Sequence, residues 1–158
     1  MKKVFIIIAI VMLSENMIAQ KDSNIIVPSV VSTAFSTQFP SGKLKKWEQR
    51  KEGYIAVFRQ DGKKYFAYYA ADGAWKGTET PIKWTKDLPA AVKEGWKRSD
   101  YYSWYVMDIK KITTPDQPLY TLHVNNGTLL DADHHDNFLE EYVLFFTPGG
   151  ELVRKDKM

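Results

Sequence analysis

The chain contains no cysteine. Disulfides, thiol catalysis, cysteine-ligated zinc and lipid attachment through an N-terminal cysteine are therefore excluded. It also lacks a phosphate-binding glycine loop, an HExxH helix and a GxSxG elbow. Those absences remove common signatures of nucleotide binding, metalloprotease and serine-hydrolase chemistry. Charge of one sign is scarce too: 22 Lys and Arg against 19 Asp and Glu leave a net charge of +3 over 158 residues. Nucleic acid is not an expected partner, because phosphate contacts need a concentrated basic surface. The longest apolar run, Val4 to Leu13, is ten residues. A membrane-spanning helix needs about 20.

What is present is the composition of a globular chain, 44% apolar and 26% charged. Aromatics are abundant, with 5 Trp, 9 Tyr and 8 Phe. The start has the order of a secretory signal peptide: Lys2-Lys3, then Val4 to Leu13, then Met17-Ile18-Ala19. Residues 1–19 are expected to be removed. The protein is then periplasmic or extracellular, with no membrane span and no lipid anchor.

The remaining residues, 20–158, read as one domain written twice. Val27, Val30, Val31, Ala34 and Phe35 recur in period as Leu88, Ala91, Val92, Gly95 and Trp96. The spacing i, i+3, i+4, i+7, i+8 is one face of an α-helix. Pro28 and Pro89 suit a first helical turn, and Asp87 suits an N-cap. After each helix the period changes to two. Leu44–Arg50, Tyr54–Arg59, Lys64–Ala70 and Ala74–Thr80 read as four strands, with turns at Gly53, Asp61-Gly62 and Asp72-Gly73. Ser103–Ile112, Leu119–Val124, Glu141–Thr147 and Glu151–Lys155 read likewise. The expected fold is α+β: two tandem repeats, 25–80 and 88–155, each one helix plus a four-stranded antiparallel meander. A linker, 81–87, joins them, and the second carries an insertion, 128–140. Both helices are expected on one face of the sheet.

A two-residue loop at Asp61-Gly62 pairs Phe58 with Tyr65, Ala56 with Ala67 and Tyr54 with Tyr69. The small Ala pair admits a helix, so that side is assigned to the core. Ile55, Val57, Phe66 and Tyr68 then face the other way. A solvated sheet face alternates apolar with polar, and this one does not. These four are therefore candidate partner-binding residues. Trp84 in the linker and Tyr102 and Trp104 in the run Tyr101–Tyr105 join them, since Trp and Tyr are common anchors of interfaces.

In order along the chain, Val27-Pro28, Phe39-Pro40, Trp47, Tyr54-x-Ala56-x-Phe58, Asp61-Gly62, Asp72-Gly73-x-Trp75, Glu79-Thr80-x-Ile82 and Leu88-Pro89-Ala90-Ala91-Val92 carry a family pattern. The chain resembles the exported PepSY-like, beta-lactamase-inhibitor-like family. The resemblance implies tandem helix-plus-sheet repeats and a binding or inhibitory role with no catalytic residues. The Thr128–Glu140 insertion departs from the family pattern.

That insertion holds Asp131, Asp133, His134, His135 and Asp136, ligands that suit hard and borderline divalent ions. It is not an EF-hand: Asp136 stands where the loop needs Gly, and Tyr142 where it needs Glu. The expected function is a non-catalytic envelope protein that contacts a protein or peptide through its aromatic sheet face. The alternative is a metal- or small-ligand-binding module using the insertion. No enzyme activity and no cofactor are expected.

Overall fold

The computed structural model describes residues 25–127 and 139–158. Short glycine turns between segments of period two dictate antiparallel neighbours, and that is what forms. The elements run α1 (Ser29–Gln38), β1 (Lys43–Arg50), β2 (Gly53–Gln60), β3 (Lys63–Tyr69), β4 (Trp75–Pro81), a 3-10 turn (Thr85–Asp87), α2 (Ala90–Lys97), β5 (Tyr105–Thr113), β6 (Leu119–Asn125), β7 (Glu141–Phe146) and β8 (Leu152–Lys157). All eight strands form one antiparallel sheet in chain order. The fold is α+β, with both helices on one face.

The β2–β3 hairpin has the register expected of a two-residue loop, with Tyr54 opposite Tyr69, Ala56 opposite Ala67 and Phe58 opposite Tyr65. Its turn residues have positive φ, 50° at Asp61 and 74° at Gly62. That geometry matches the twist of the flanking strands and suits Asp-Gly. The small Ala56–Ala67 pair lets α1 approach. Val31 and Phe35 pack there with Phe58 and Tyr69, and Trp47, Tyr54, Tyr65 and Trp75 close the edges. Phe35 meets Phe58 edge-on at 5.1 Å and Trp47 at 5.7 Å. The Tyr69 hydroxyl donates to Gln38 Oε1 at 2.9 Å.

A second core lies under α2. Leu88 and Val92 pack on Ile109, Leu122, Val124, Leu144 and Phe146. Here the helix comes close enough to touch backbone. A Cβ on Gly95 would collide with the Gly150 carbonyl in the β7–β8 turn. Between the two cores, β4 pairs with β5 through Thr78–Thr113, Glu79–Ile112 and Pro81–Lys110. This seam makes one sheet of eight strands.

Three expectations need correction. Val30 is 49% exposed and Ala91 is exposed as well, so neither belongs to the buried helix stripe. Each sits at the flank of its helix, against a turn. A Cβ on Gly73 would meet the Val30 carbonyl at 3.0 Å, and one on Gly150 would meet the Ala91 carbonyl. Asp87 does not cap α2: it ends the 3-10 turn, and Pro89 is the N-cap with no side-chain hydrogen bond. Finally, Tyr101–Ser103 form a turn and β5 begins only at Tyr105, two residues after the expected start at Ser103.

Candidate functional site: the open sheet face

Cross-strand partners point to the same side of a sheet. The registers therefore sort every strand residue into the helix face or the opposite, open face. On the open face Lys46, Val57, Phe66, Glu79, Ile112 and Leu119 form one row across β1 to β6. Lys110, Thr121, Phe145 and Arg154 form the next. Asp108, His123, Val143 and Asp156 follow. Ile112, Val143 and Phe145 pack together with Leu119, apart from both helix-side cores. No helix among the described residues packs on this face.

The seven candidate contact residues are not all brought together. Ile55, Val57, Phe66 and Tyr68 share the open face, but Ile55 is 6% exposed and Val57 only 3%. Their direct partners on β3 are the larger Tyr68 and Phe66, which are half-buried and shield them. Ile55 and Val57 are thus corrected from contact surface to support beneath it. Trp104 packs in the α2 core, its ring 5.1 Å from Tyr101. Tyr102 is exposed, yet it lies edge-on to Trp96 at 5.0 Å, on the helix side. Neither extends the open face. Val106 joins the α2 core, so its neighbour Tyr105, 57% exposed, projects to the open side instead. Trp84 is 53% exposed in the linker, with Lys83 Nζ 5.1 Å from its ring centroid. Asp131, Asp133, His134, His135 and Asp136 lie outside the described residues.

Sequence reasoning missed the polar centre of this face. Glu79 is 3% exposed. Lys110 Nζ stands 3.4 Å from its Oε2 and 3.3 Å from Asp108 Oδ2. Glu79 Oε1 is buried with no hydrogen-bond partner among the described residues. Burial raises the Glu79 carboxyl above its ordinary value, and the Lys110 ammonium opposes the rise. Burial and then the Glu79 charge also hold the Tyr68 phenol well above its ordinary range. Nearby, His123 Nε2 is 3.2 Å from Glu141 Oε1, and the Arg154 guanidinium lies 3.7 Å over the Phe145 ring while pairing with Asp156 at 3.2 Å. The sequence marked Glu79 only as part of the family pattern Glu79-Thr80-x-Ile82, with no role attached. Its partner Lys110 is on β5, and the β4–β5 pairing spans a linker and a helix. Chemically, the face offers aromatic surface, a buried ion pair and exposed cations. Among the described residues no group of three His, Asp or Glu is placed to hold a metal.

A family model described as beta-lactamase-inhibitor-like, PepSY-like matches the chain twice, over residues 16–69 and 52–140. The chain belongs to this family. Solved structures agree in fold. A BLIP-like protein from Bacteroides fragilis is 25% identical, with 88% of this chain and 92% of that chain covered and a TM-score of 0.73. A candidate periplasmic protein from Bacteroides eggerthii is 23% identical, covering 84% of this chain and 89% of its own, with a TM-score of 0.69. No curated protein matches the chain. Among the described residues no helix is long and apolar enough to cross a membrane.

Proposed function

We propose that this PepSY-like protein is a non-catalytic, exported binding protein that contacts a protein or peptide partner through the open sheet face. The carrying observation is one-sided covering. Both helices pack on the same face, while the opposite face presents Phe66, Tyr68 and Tyr105 at its surface. Aromatic residues are enriched in the cores of interfaces. The name of the Bacteroides fragilis neighbour, BLIP-like, favours a protein partner, and that of the Bacteroides eggerthii neighbour favours the periplasm. Residues 1–19 act as the export signal, so exported protein has an intact mass lacking them.

The chain is two repeats of one unit. Pro28 and Pro89 precede α1 and α2 with nearly the same backbone angles, φ −56° and −54°. Each β-turn glycine of the pair Gly73 and Gly150 abuts the first turn of the helix of its own half. The turn hydrogen bonds repeat as well: the Ala70 amide donates to the Ala74 carbonyl at 2.9 Å, and the Thr147 amide donates to that of Glu151 at 2.9 Å. Doubling the unit widens the sheet, and with it the open face.

The test is affinity capture from the envelope of the exporting cell. Wild type, Phe66→Asp and a helix-side control, Ala91→Asp, are compared. The same partner is expected with wild type and the control and absent with Phe66→Asp. Equal capture by all three, with all three folded, would remove the open face as the site.

A further inference from the structure

Beyond the ion pair at its centre, the open face carries a second charged feature at its outer corner. Lys43 lies directly opposite Arg59, and Arg59 directly opposite Lys64, on three adjacent strands. All three are exposed. Lys46 stands in the neighbouring row. Like charges facing each other across strands are destabilising. No acidic residue forms an ion pair with Lys43, Arg59 or Lys64 among the described residues; Glu48, two rows further along β1 and opposite Ile55, is taken by Lys46 at 2.8 Å and Arg50 at 3.0 Å. Lys64 Nζ lies over the Phe66 ring, 4.6 Å from its centroid.

Lysines on an edge strand protect a sheet from pairing with other chains. That explains Lys43 and Lys46 on β1. It does not explain Arg59 on β2, which is paired on both sides, with Lys43 on β1 and Lys64 on β3; Lys64 itself pairs only with β2, since the β3–β4 register begins at Phe66. Three opposed cations retained beside a half-buried aromatic suit an anionic occupant that also has apolar surface.

We infer that the Lys43–Arg59–Lys64 row receives an acidic segment of the partner polypeptide, with Phe66 taking an apolar side chain beside it. This rests on the open-face reading and specifies the partner's chemistry there. The row spans two interstrand gaps, about 10 Å. Carboxylates two residues apart on an extended strand are about 7 Å apart, so two or three alternating acidic residues match the row. A lone phosphate would meet the cations but leave Phe66 unused.

The experiment uses the mature chain at low ionic strength. The probe is a fluorescent decapeptide alternating Glu and Leu. A Gln-for-Glu version, inorganic phosphate and phosphatidylglycerol vesicles are the comparison ligands. The triple variant Lys43→Glu, Arg59→Glu, Lys64→Glu is set against a control of equal charge change, Lys76→Glu, Lys83→Glu, Lys86→Glu. At least tenfold weaker peptide binding is expected for the row variant alone, and Arg59→Gln by itself is expected to raise the melting temperature by relieving the row. Equal loss in both triple variants would reduce the effect to net charge and overturn the assignment. So would preference for phosphate or vesicles over the peptide, or a lower melting temperature for Arg59→Gln. If Phe66→Asp abolishes envelope capture while the row variant does not, the acidic-segment assignment fails and the open-face reading stands. If neither changes capture, both fail.

Discussion

Gly95→Ala sets helix propensity against packing. Gly95 lies inside α2, where Ala is intrinsically better by about 1 kcal/mol. Propensity alone therefore predicts a more stable protein. The packing predicts the opposite. A Cβ there would strike the Gly150 carbonyl oxygen and lie 2.7 Å from its carbonyl carbon. Carbon contacts are comfortable at about 3.5–4.0 Å, so α2 must lift by about 1 Å. Both colliding groups belong to main chain, and no rotamer change relieves them. The lift would draw fully buried Val92 off Leu122 and Leu144. Overpacking costs about 1–3 kcal/mol, and a backbone clash falls at the upper end. Less the propensity gain, the net loss is about 2 kcal/mol, a drop in melting temperature of roughly 5–10 °C for a domain of this size. The assay is thermal melting followed by near-ultraviolet circular dichroism, with Gly62→Ala alongside. Gly62 has φ 74° but nothing within 4 Å of an added Cβ, so it reports backbone strain without collision, about 1 kcal/mol. A rise in melting temperature for Gly95→Ala, or a loss no larger than that of Gly62→Ala, would refute the close docking of α2 on the β7–β8 turn.

Three further outcomes are expected. Val57→Asp buries a charge at a 3% exposed position and should cost about 3 kcal/mol or more, whereas Lys64→Ala should stay within about 0.5 kcal/mol; both are read from urea melts. Glu79 has a carboxyl raised on folding, so at a pH between its ordinary and raised values the folded form holds a proton that the unfolded form has lost. Stability from this group is present below the ordinary carboxylate value and is lost as pH rises toward the raised folded value. Glu79→Gln removes that dependence, so its melting temperature relative to wild type should be more favourable at pH 7 than at pH 4; a constant difference would show that Glu79 is not desolvated. For the insertion, adding calcium, zinc or manganese should leave the melting temperature unchanged, and a rise reversed by EDTA would instead assign Asp131, Asp133, His134, His135 and Asp136 to a metal.

Local chemistry was legible in the sequence wherever it is set by near neighbours. Asp61-Gly62 fixes the β2–β3 register, and the register fixes which side Ala56 and Phe58 face. Depth was less legible. Ile55 and Val57 alternate as surface residues do, yet the bulk of Phe66 and Tyr68 decides their exposure. Val30 has helical spacing but lies on the flank of α1, where a turn 43 residues later meets it. Ser103-Trp104 reads as the start of a strand because alternation has no way to register a turn made of aromatics. Glu79 required the pairing of β4 with β5, which no local pattern encodes. The cationic row is likewise visible only once three strands are aligned.

The central claim is that the open face is where the partner binds. A photo-activated crosslinking residue placed in turn at Phe66, Tyr105, Thr33 and Ala91 in the exporting cell tests it directly. The first two positions face the open side, and the last two are exposed on the helix side. One partner adduct from Phe66 and Tyr105, and none from Thr33 or Ala91, is the predicted result. Adducts confined to Thr33 and Ala91 would place the partner on the helices and contradict it.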